Sequence, residues 1–451
     1  MKIFDSSSKN AIDLTPARII LLGYTTVIFL GTILLSLPMA RQGPGSADFI
    51  EALFTATSAV CVTGLIVVDT ATYWTLFGQI TILILIQIGG LGFMTLSTLS
   101  FMIIGKRITF SERVLIKEDL GHLNYSGLVR LVKYVLILTL SLEAIGTLLL
   151  FLNFRPIMDN FKAFWYALFH AVSAFNNAGF DIFGNSLEGF TTDIGVNITI
   201  MSLIIFGGLG FTVIAEFFKK SRKVQRKFSL HTKLVVFMTV FLLFLGFLTV
   251  LGLEYNNPDT LGGLDWLGRV TGSFFLSVTS RTAGFNTVPT GNLQNGTLFF
   301  AIILMFIGAS PCSTGGGVKT TTMGVFYNYV ITSIRGDEEV SFFSRRLSYK
   351  TVNQAVAIIS LSGLLVVITT LILSIIEPFS FIEVLFESVS AFATVGLSTG
   401  ITSELSFNSR IMLIITMLAG RIGPLTFFVS LGDLKPKSKN IRYPKDDLMI
   451  G

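Results

Sequence analysis

LFTATSAVCVTGL, residues 53–65, is the stretch on which the fold turns: a short apolar run that ends in glycine. The chain writes it four times, the other copies being LFHAVSAFNNAGF at 168–180, SFFLSVTSRTAGF at 273–285 and LFESVSAFATVGL at 385–397. Aligned on Gly64, Gly179, Gly284 and Gly396, all four place Phe ten residues earlier (Phe54, Phe169, Phe274, Phe386) and Leu or Phe immediately after. The glycines lie 115, 105 and 112 residues apart. Between 24 and 28 residues beyond each comes a further glycine (Gly89, Gly207, Gly308, Gly420), and the first two of these open the same phrase, GGLGF. Self-similarity at a fixed period marks a chain built from copies of one structural unit.

An apolar segment of about a dozen residues is too short to cross the roughly 30 Å of a bilayer's hydrocarbon, so it is expected to enter and turn back. Non-helical backbone at that depth survives only where protein covers it or water lines it. Four such turns meeting on one axis would offer main-chain carbonyls in place of the hydration shell of an alkali cation, as the four filter loops of potassium channels do. Glycine tolerates the backbone angles that aim successive carbonyls inward. The short helices ahead of the turns would point their negative ends at the axis. One such segment alone is better read as a buried helix cap; four at matched spacing reverse that reading. The expected ligands are Cys61, Val62, Thr63 and Gly64; Asn176, Asn177, Ala178 and Gly179; Arg281, Thr282, Ala283 and Gly284; and Ala393, Thr394, Val395 and Gly396.

With 51% hydrophobic and only 13% charged residues, the chain has too little polar surface to cover a soluble globule. Uncharged stretches run over 19–40, 70–105, 194–215, 234–253 and 351–376, each long enough for a spanning helix. Residues 134–152 carry one acid, Glu143; residues 298–334 are interrupted by a Ser/Gly-rich break and Lys319, and 411–431 by Arg421. Eight spans put both termini on one side. Twenty-five Lys and Arg fall in the N-terminal segment, the alternate connections 106–133, 219–233 and 335–350, and the tail, against six in the opposite connections. The positive-inside rule therefore makes the termini cytoplasmic. The net charge of +6 then reflects topology, with no nucleic-acid partner expected. No cleavable signal peptide is read, because the apolar run from residue 19 is too long. Cys61 and Cys312 form no disulfide or zinc framework. Three scattered histidines, without an HExxH or a paired-carboxylate constellation, argue against an enzyme. The expected fold is an all-α integral membrane protein: four helix–pore loop–helix repeats (1–118, 119–226, 227–345, 346–451), with eight spanning helices and four re-entrant pore helices around a pseudo-fourfold pore.

The third repeat departs from the others, since its second span breaks at Gly308, Ala309, Ser310, Pro311, Cys312, Ser313, Thr314, Gly315, Gly316 and Gly317. Proline removes a backbone donor and glycine weakens helix, so a loop is expected, a kinked helix being the alternative. GGGVKT is not a phosphate loop, because Val318 separates the last glycine from Lys319 and no strand precedes it. GGLGF reads as a close-packing device. The run KKSRKVQRK, 219–227, reads as a cytoplasmic surface for anionic lipid or a regulatory subunit, and 335–350 as another contact.

Together these residues resemble the Ktr/Trk/HKT superfamily of potassium transporters, most closely the membrane subunit of bacterial Ktr systems. The likeness covers nearly the whole chain and rests on the four glycine segments, IGGLGF and FGGLGF, GASPCSTGGGVKTTT, AGRIGPLTF and the terminal IRYPKDDLMIG. It implies potassium uptake through a cell-membrane protein, a homodimer with one pore per subunit, and a cytoplasmic ring of nucleotide-binding regulatory subunits. It further implies that the 308–317 loop gates ion flow below the filter. Glycine in all four filters is associated in the family with potassium, and serine in the first with sodium. Cys61 departs from the family's frequent threonine, which matters little if a carbonyl is the ligand. The only cofactor implied is the potassium (or sodium) ion in the pore. Competing readings are a sodium-coupled or sodium-permeable symporter of the same superfamily and an organic-solute secondary transporter, which usually shows two repeats around its site.

Against that frame, a guanidinium at the depth of Arg421 is costly and should face water or a polar partner. It is expected either to hold the 308–317 loop closed through its carbonyls, repelling cations, or to act as an interhelical staple. Glu143 is expected to pair with a neighbouring helix, His170 to be a satisfied packing residue, and Arg281 to be tied to a carboxylate or carbonyl behind the filter.

Overall fold

The computed structural model of the protein describes residues 15–92, 128–221, 227–337 and 339–432. In chain order the helices are α1 (Pro16–Leu35), α2 (Phe49–Cys61), α3 (Leu76–Leu91), α4 (Leu128–Phe154), α5 (Asn160–Phe175), α6 (Ile194–Leu209) and α7 (Phe211–Ser221). They continue with α8 (Leu230–Glu254), α9 (Trp266–Thr279), α10 (Asn295–Phe306), α11 (Thr320–Arg335), α12 (Tyr349–Ile376), α13 (Phe381–Ala393), α14 (Phe407–Ile422) and α15 (Pro424–Leu431). A small hairpin, β1 (Ser341–Phe342) with β2 (Arg345–Arg346), joins α11 to α12, and Arg346 forms an exposed ion pair there with Glu339 at 2.7 Å.

One order recurs four times: long helix, short helix, glycine turn, second helix. The long members are α1, α4, α8 and α12, among the described residues the four continuous helices long and apolar enough to cross a membrane. Sequence chemistry starts the short ones. Asp48, Asp159 and Asp265 accept N–H bonds at the N-termini of α2, α5 and α9, and Ser380 with Glu383 forms a capping box on α13. The capped ends face away from the glycine turns, so each short helix presents its negative end to its turn.

The polarity of the molecule is inverted relative to a soluble protein. Leu140, Val240, Phe244, Val367 and Ile375 stand exposed along the long helices, while Thr57, Ser173, Asn176, Thr282, Ser388 and Thr394 are buried. Apolar faces of that extent are stable only against lipid. The helices pack as a closed cycle. The second helix of each set rests on the short helix of the next: α3 on α5, α6 on α9, α10 on α13, and α14 back on α2.

The second helices are less regular than the sequence reading expected. Residues 194–215 read as one uninterrupted span, but the chain bends by 97° between α6 and α7 at Gly210, and by 109° between α14 and α15 at Gly423. Gly92 ends α3 with the same backbone (φ 83, ψ 138, against 92, 133 and 95, 132), a region that only glycine enters at low cost. The last glycine of the second GGLGF is thus a hinge, and that of the first ends α3 with the same backbone. The N-terminal segment, most of the basic connections 106–133 and 219–227, and the tail with IRYPKDDLMIG lie outside the described residues.

Candidate functional site

The four segment-ending glycines meet in a ring. A methyl group added at Gly64 would lie 2.5 Å from the carbonyl oxygen of Ala178; at Gly179, 2.8 Å from that of Ala283; at Gly284, 2.5 Å from that of Val395; and at Gly396, 2.2 Å from that of Thr63. Each glycine therefore abuts the carbonyl that precedes the next glycine, and the sequence of contacts closes on itself. All four have positive φ (92°, 68°, 81° and 90°).

Two residues before each glycine the backbone is left-handed again, at Val62, Asn177, Thr282 and Thr394 (φ 58°, 58°, 75° and 51°). A β-branched residue in that region is strained, and such strain persists only where its surroundings over-determine it. At three turns the cause is the way the short helix ends. The N–H groups of Thr63, Ala178 and Val395 donate to the carbonyls of Ser58, Ser173 and Ser390, a terminus that usually takes glycine at the left-handed position. The same serines brace the turns: Ser58 and Ser390 accept from the N–H of Gly64 and Gly396, and Ser173 donates to Phe180. The third turn differs, with Thr279 donating to Phe285 and the N–H of Ala283 reaching the Thr279 carbonyl. Cys61 and Ala393 end their helices, and both are fully buried.

The second set of glycines lets the second helices touch the ends of the short ones. Methyl groups at Gly89, Gly207 and Gly420 would strike the carbonyl oxygens of Val60, Phe175 and Phe392 at 2.0, 1.9 and 1.7 Å. Close packing was the role expected of GGLGF, and here it has an address: the carbonyl four residues before each ring glycine. The fourth instance breaks the pattern. Gly308 is crowded instead by the Gly316 carbonyl at 2.2 Å, because residues 307–319 form a loop that folds back, with Ile307 bridging to Val318.

That loop lies against the turns. Methyl groups at Gly315 and Gly316 would meet Thr282 Oγ1 at 2.1 Å and Thr394 Oγ1 at 2.3 Å. The N–H groups of Ser310 and Thr314 donate to Gly208 and Gly207, and that of Phe211 donates to Cys312, tying the loop to the hinge of α6 and α7. Ser313 donates to the Ser310 carbonyl, and Thr320 to the Ser310 hydroxyl. The N–H of Thr320 reaches the Ala309 carbonyl, and Lys319 Nζ donates to the Gly315 carbonyl at 2.6 Å. Pro311 and Gly317 line a cavity of about 320 Å³ with Tyr24, Lys319 and Arg421. Arg421 donates to the Thr314 carbonyl in the loop and to the Gly89 carbonyl in α3. One side chain on α14 is thus bonded both to the loop and to α3.

Glu143 is buried and accepts from Asn176 Nδ2 at 3.0 Å and Gln87 Nε2 at 3.3 Å, so it does pair with neighbouring helices. His170 packs against Phe183, Phe154, Phe169 and Phe285 and is hydrogen-bonded at Nδ1 to the Tyr166 carbonyl, but its Nε2 has no partner. The expectation of full satisfaction is corrected to half. Arg281 is corrected outright. It is buried, yet among the described residues its side chain meets no carboxylate or carbonyl at hydrogen-bond distance, and its Nε has no partner. Sequence reasoning missed Glu387, a buried side chain on α13 that accepts from Ser398, from Thr402 at 2.9 Å and from the N–H of Thr399 at 3.2 Å, pinning the segment beyond Gly396. Its signal was an acidic residue inside an apolar segment. Just beyond the second turn, Asp181 gathers the N–H groups of Phe183, Gly184 and Ser186. Burial raises its pKa, and those donors pull it back.

Comparison with known proteins agrees along the whole length. A profile of the family described as TrkH, cation transport protein, matches residues 18–443. The Ktr system potassium uptake protein B of Bacillus subtilis (strain 168) is 43% identical over 437 residues, covering 97% of each chain. The potassium/sodium uptake protein NtpJ of Enterococcus hirae is 37% identical, covering 97% of this chain and 98% of that protein. The crystal structure of the potassium transporter TrkH from Vibrio parahaemolyticus superposes with a TM-score of 0.74 at 18% identity, over 95% of this chain and 86% of that one, a likeness of fold.

Proposed function

Because the chain belongs to the TrkH family of cation transport proteins, we propose that it is the ion-conducting subunit of a Ktr-type potassium uptake system. The observation that carries this reading is the cyclic contact of Gly64, Gly179, Gly284 and Gly396 with the carbonyls of Ala178, Ala283, Val395 and Thr63. Main-chain oxygens at a closed ring, with the negative ends of four short helices behind them, can replace the water around a bare cation without a carboxylate that would trap it. In this reading residues 1–118, 119–226, 227–345 and 346–451 each supply a quarter of the pore, eight helices span the membrane and both termini are cytoplasmic. The 308–317 loop and Arg421 close the path beneath the ring. The chain works as a homodimer, and the regulatory ring binds nucleotide on the cytoplasmic side.

The relatives are transporters, and nothing in the described site calls for bond-making chemistry. A second reading has one specific support: the name of the Enterococcus relative couples potassium with sodium, so a sodium-permeable or sodium-coupled pore is the alternative. Cells lacking potassium uptake, supplied with this chain and a nucleotide-binding partner subunit, separate the two. Growth at low external potassium that is independent of sodium supports the first reading. Growth that requires sodium supports the second, and no rescue at all contradicts both.

A further inference from the structure

Of the three polar or ionisable residues that stand three places before a ring glycine, one has its side chain hydrogen-bonded among the described residues. Those residues are Cys61, Asn176 and Arg281, with Ala393 in the fourth place. Asn176 Nδ2 donates to Glu143 Oε1 at 3.0 Å, to Gln87 Oε1 at 2.9 Å and to the Val172 carbonyl at 2.9 Å. Gln87 Nε2 in turn donates to Glu143 Oε2 at 3.3 Å, so both carboxylate oxygens are engaged by amides from α3 and from the end of α5. Gly90 makes room for this arrangement, since a methyl group there would lie 2.0 Å from Asn176 Oδ1. The carboxylate is therefore not a free ligand for a passing ion. It is an anchor, and what it anchors is the residue immediately before the left-handed Asn177, whose own amide meets Thr282 Oγ1 in the third turn at 3.2 Å.

We propose that Glu143 is a positioning residue for ion selectivity: through Asn176 it sets where the second turn presents the carbonyls that face the cation. The proposal rests on the reading of the glycine ring as a potassium filter. The amides of Asn176 and Gln87 both end on Glu143, and leaving one of these partners unpaired inside the protein is costly. A turn freed of that tether can relax by the fraction of an ångström that separates a ring fitting dehydrated potassium from one that also accepts sodium. Among the described residues neither Cys61 nor Ala393 makes a side-chain hydrogen bond of this kind, so the second turn is the one held at the residue just ahead of its left-handed position. Glu143 also lines a crevice of about 550 Å³ between Leu140, Leu148 and Phe164 on the exposed faces of α4 and α5.

The test is the ratio of potassium to sodium uptake by the full-length protein in liposomes, for the wild type and for Glu143→Ala, Glu143→Gln, Asn176→Ala and the Glu143→Ala/Asn176→Ala double variant. Glu143→Ala is expected to lower the ratio about tenfold, the factor that about 1.4 kcal/mol corresponds to. Glu143→Gln, which keeps an acceptor for the Asn176 amide, should restore most of it. The double variant should be no worse than the poorer single one, because both changes cut the same link. An unchanged ratio in a folded Glu143→Ala protein, or an additive double variant, overturns the proposal. So does an equal fall in both fluxes, which marks a merely structural role. If Glu143→Ala cannot be recovered, Asn176→Ala carries the same expectation. A wild type without preference for potassium would instead overturn the filter reading itself.

Discussion

The second helix of the third set and its three counterparts start from the same position and end in different structures. Gly89, Gly207 and Gly420 each rest on the carbonyl at the end of their own short helix, and three residues later Gly92, Gly210 and Gly423 end the second helix with nearly identical backbone angles, the last two bending the chain sharply. In the third set the corresponding residues are Gly308 and Pro311. Proline is locked near φ −65° and cannot enter the positive-φ region that the hinge demands. Denied the bend, the chain runs on through residues 312–317 and returns at Val318, placing Gly315 and Gly316 against Thr282 and Thr394. One residue type at one repeated position decides between a hinge and a loop that folds back against the turns.

The largest expected effect tests whether the contact of glycine with helix end is what the three regular sets share. Gly420→Ala and Gly207→Ala would drive a methyl group into backbone at under 2 Å. Both should abolish uptake and cost roughly 2–3 kcal/mol of stability, as overpacking of a close contact does, read as lower yield and a lower melting point. Gly308→Ala meets a loop and should be milder on both counts.

Next comes Arg421, which bonds the loop and α3 together. Arg421→Ala removes a charged donor from two carbonyls, each bond being worth roughly 1.5–3 kcal/mol. Potassium flux in liposomes is expected to rise about tenfold if the loop is a gate, whereas unchanged flux with lost yield makes the residue a staple alone. The hinges themselves should separate. A methyl group at Gly210 would lie 2.4 Å from the Pro311 carbonyl, whereas at Gly423 it meets nothing within 4 Å. Gly423→Ala should therefore cost only backbone strain, on the order of 1–3 kcal/mol. Gly210→Ala should cost more and loosen the loop, seen as faster hydrogen exchange at residues 311–314. Smallest is Gly363→Ala, in the middle of α12 with open space around it, expected to raise stability by about 0.5–1 kcal/mol in thermal melts.

Much of this was legible in the sequence because glycine leaves a periodic trace. The four turns, the long helices and the break at 308–317 follow from spacing and from uncharged length alone. The hinges were not legible in the same way: GGLGF sits inside an apolar run, and hydropathy does not distinguish a straight helix from one bent by 97°. Comparison of GGLGF with Gly420-Arg-Ile-Gly423 and with Gly308-Ala-Ser-Pro311 would have exposed them. Side-chain partnerships were harder still. Glu143 was read as a partner of a neighbouring helix without its link to Asn176, and Arg281 was given a carboxylate or carbonyl partner that it does not meet among the described residues, because which groups meet across the cycle depends on helix rotation that no spacing encodes.

The central claim is that four glycine turns act as one ring upon the ion. It is tested most directly by potassium and sodium uptake into liposomes for four single variants: Gly64→Ser, Gly179→Ser, Gly284→Ser and Gly396→Ser. A shared ring predicts that each of the four loses potassium uptake or shifts toward sodium. Potassium preference retained at the wild-type level in all four would contradict it.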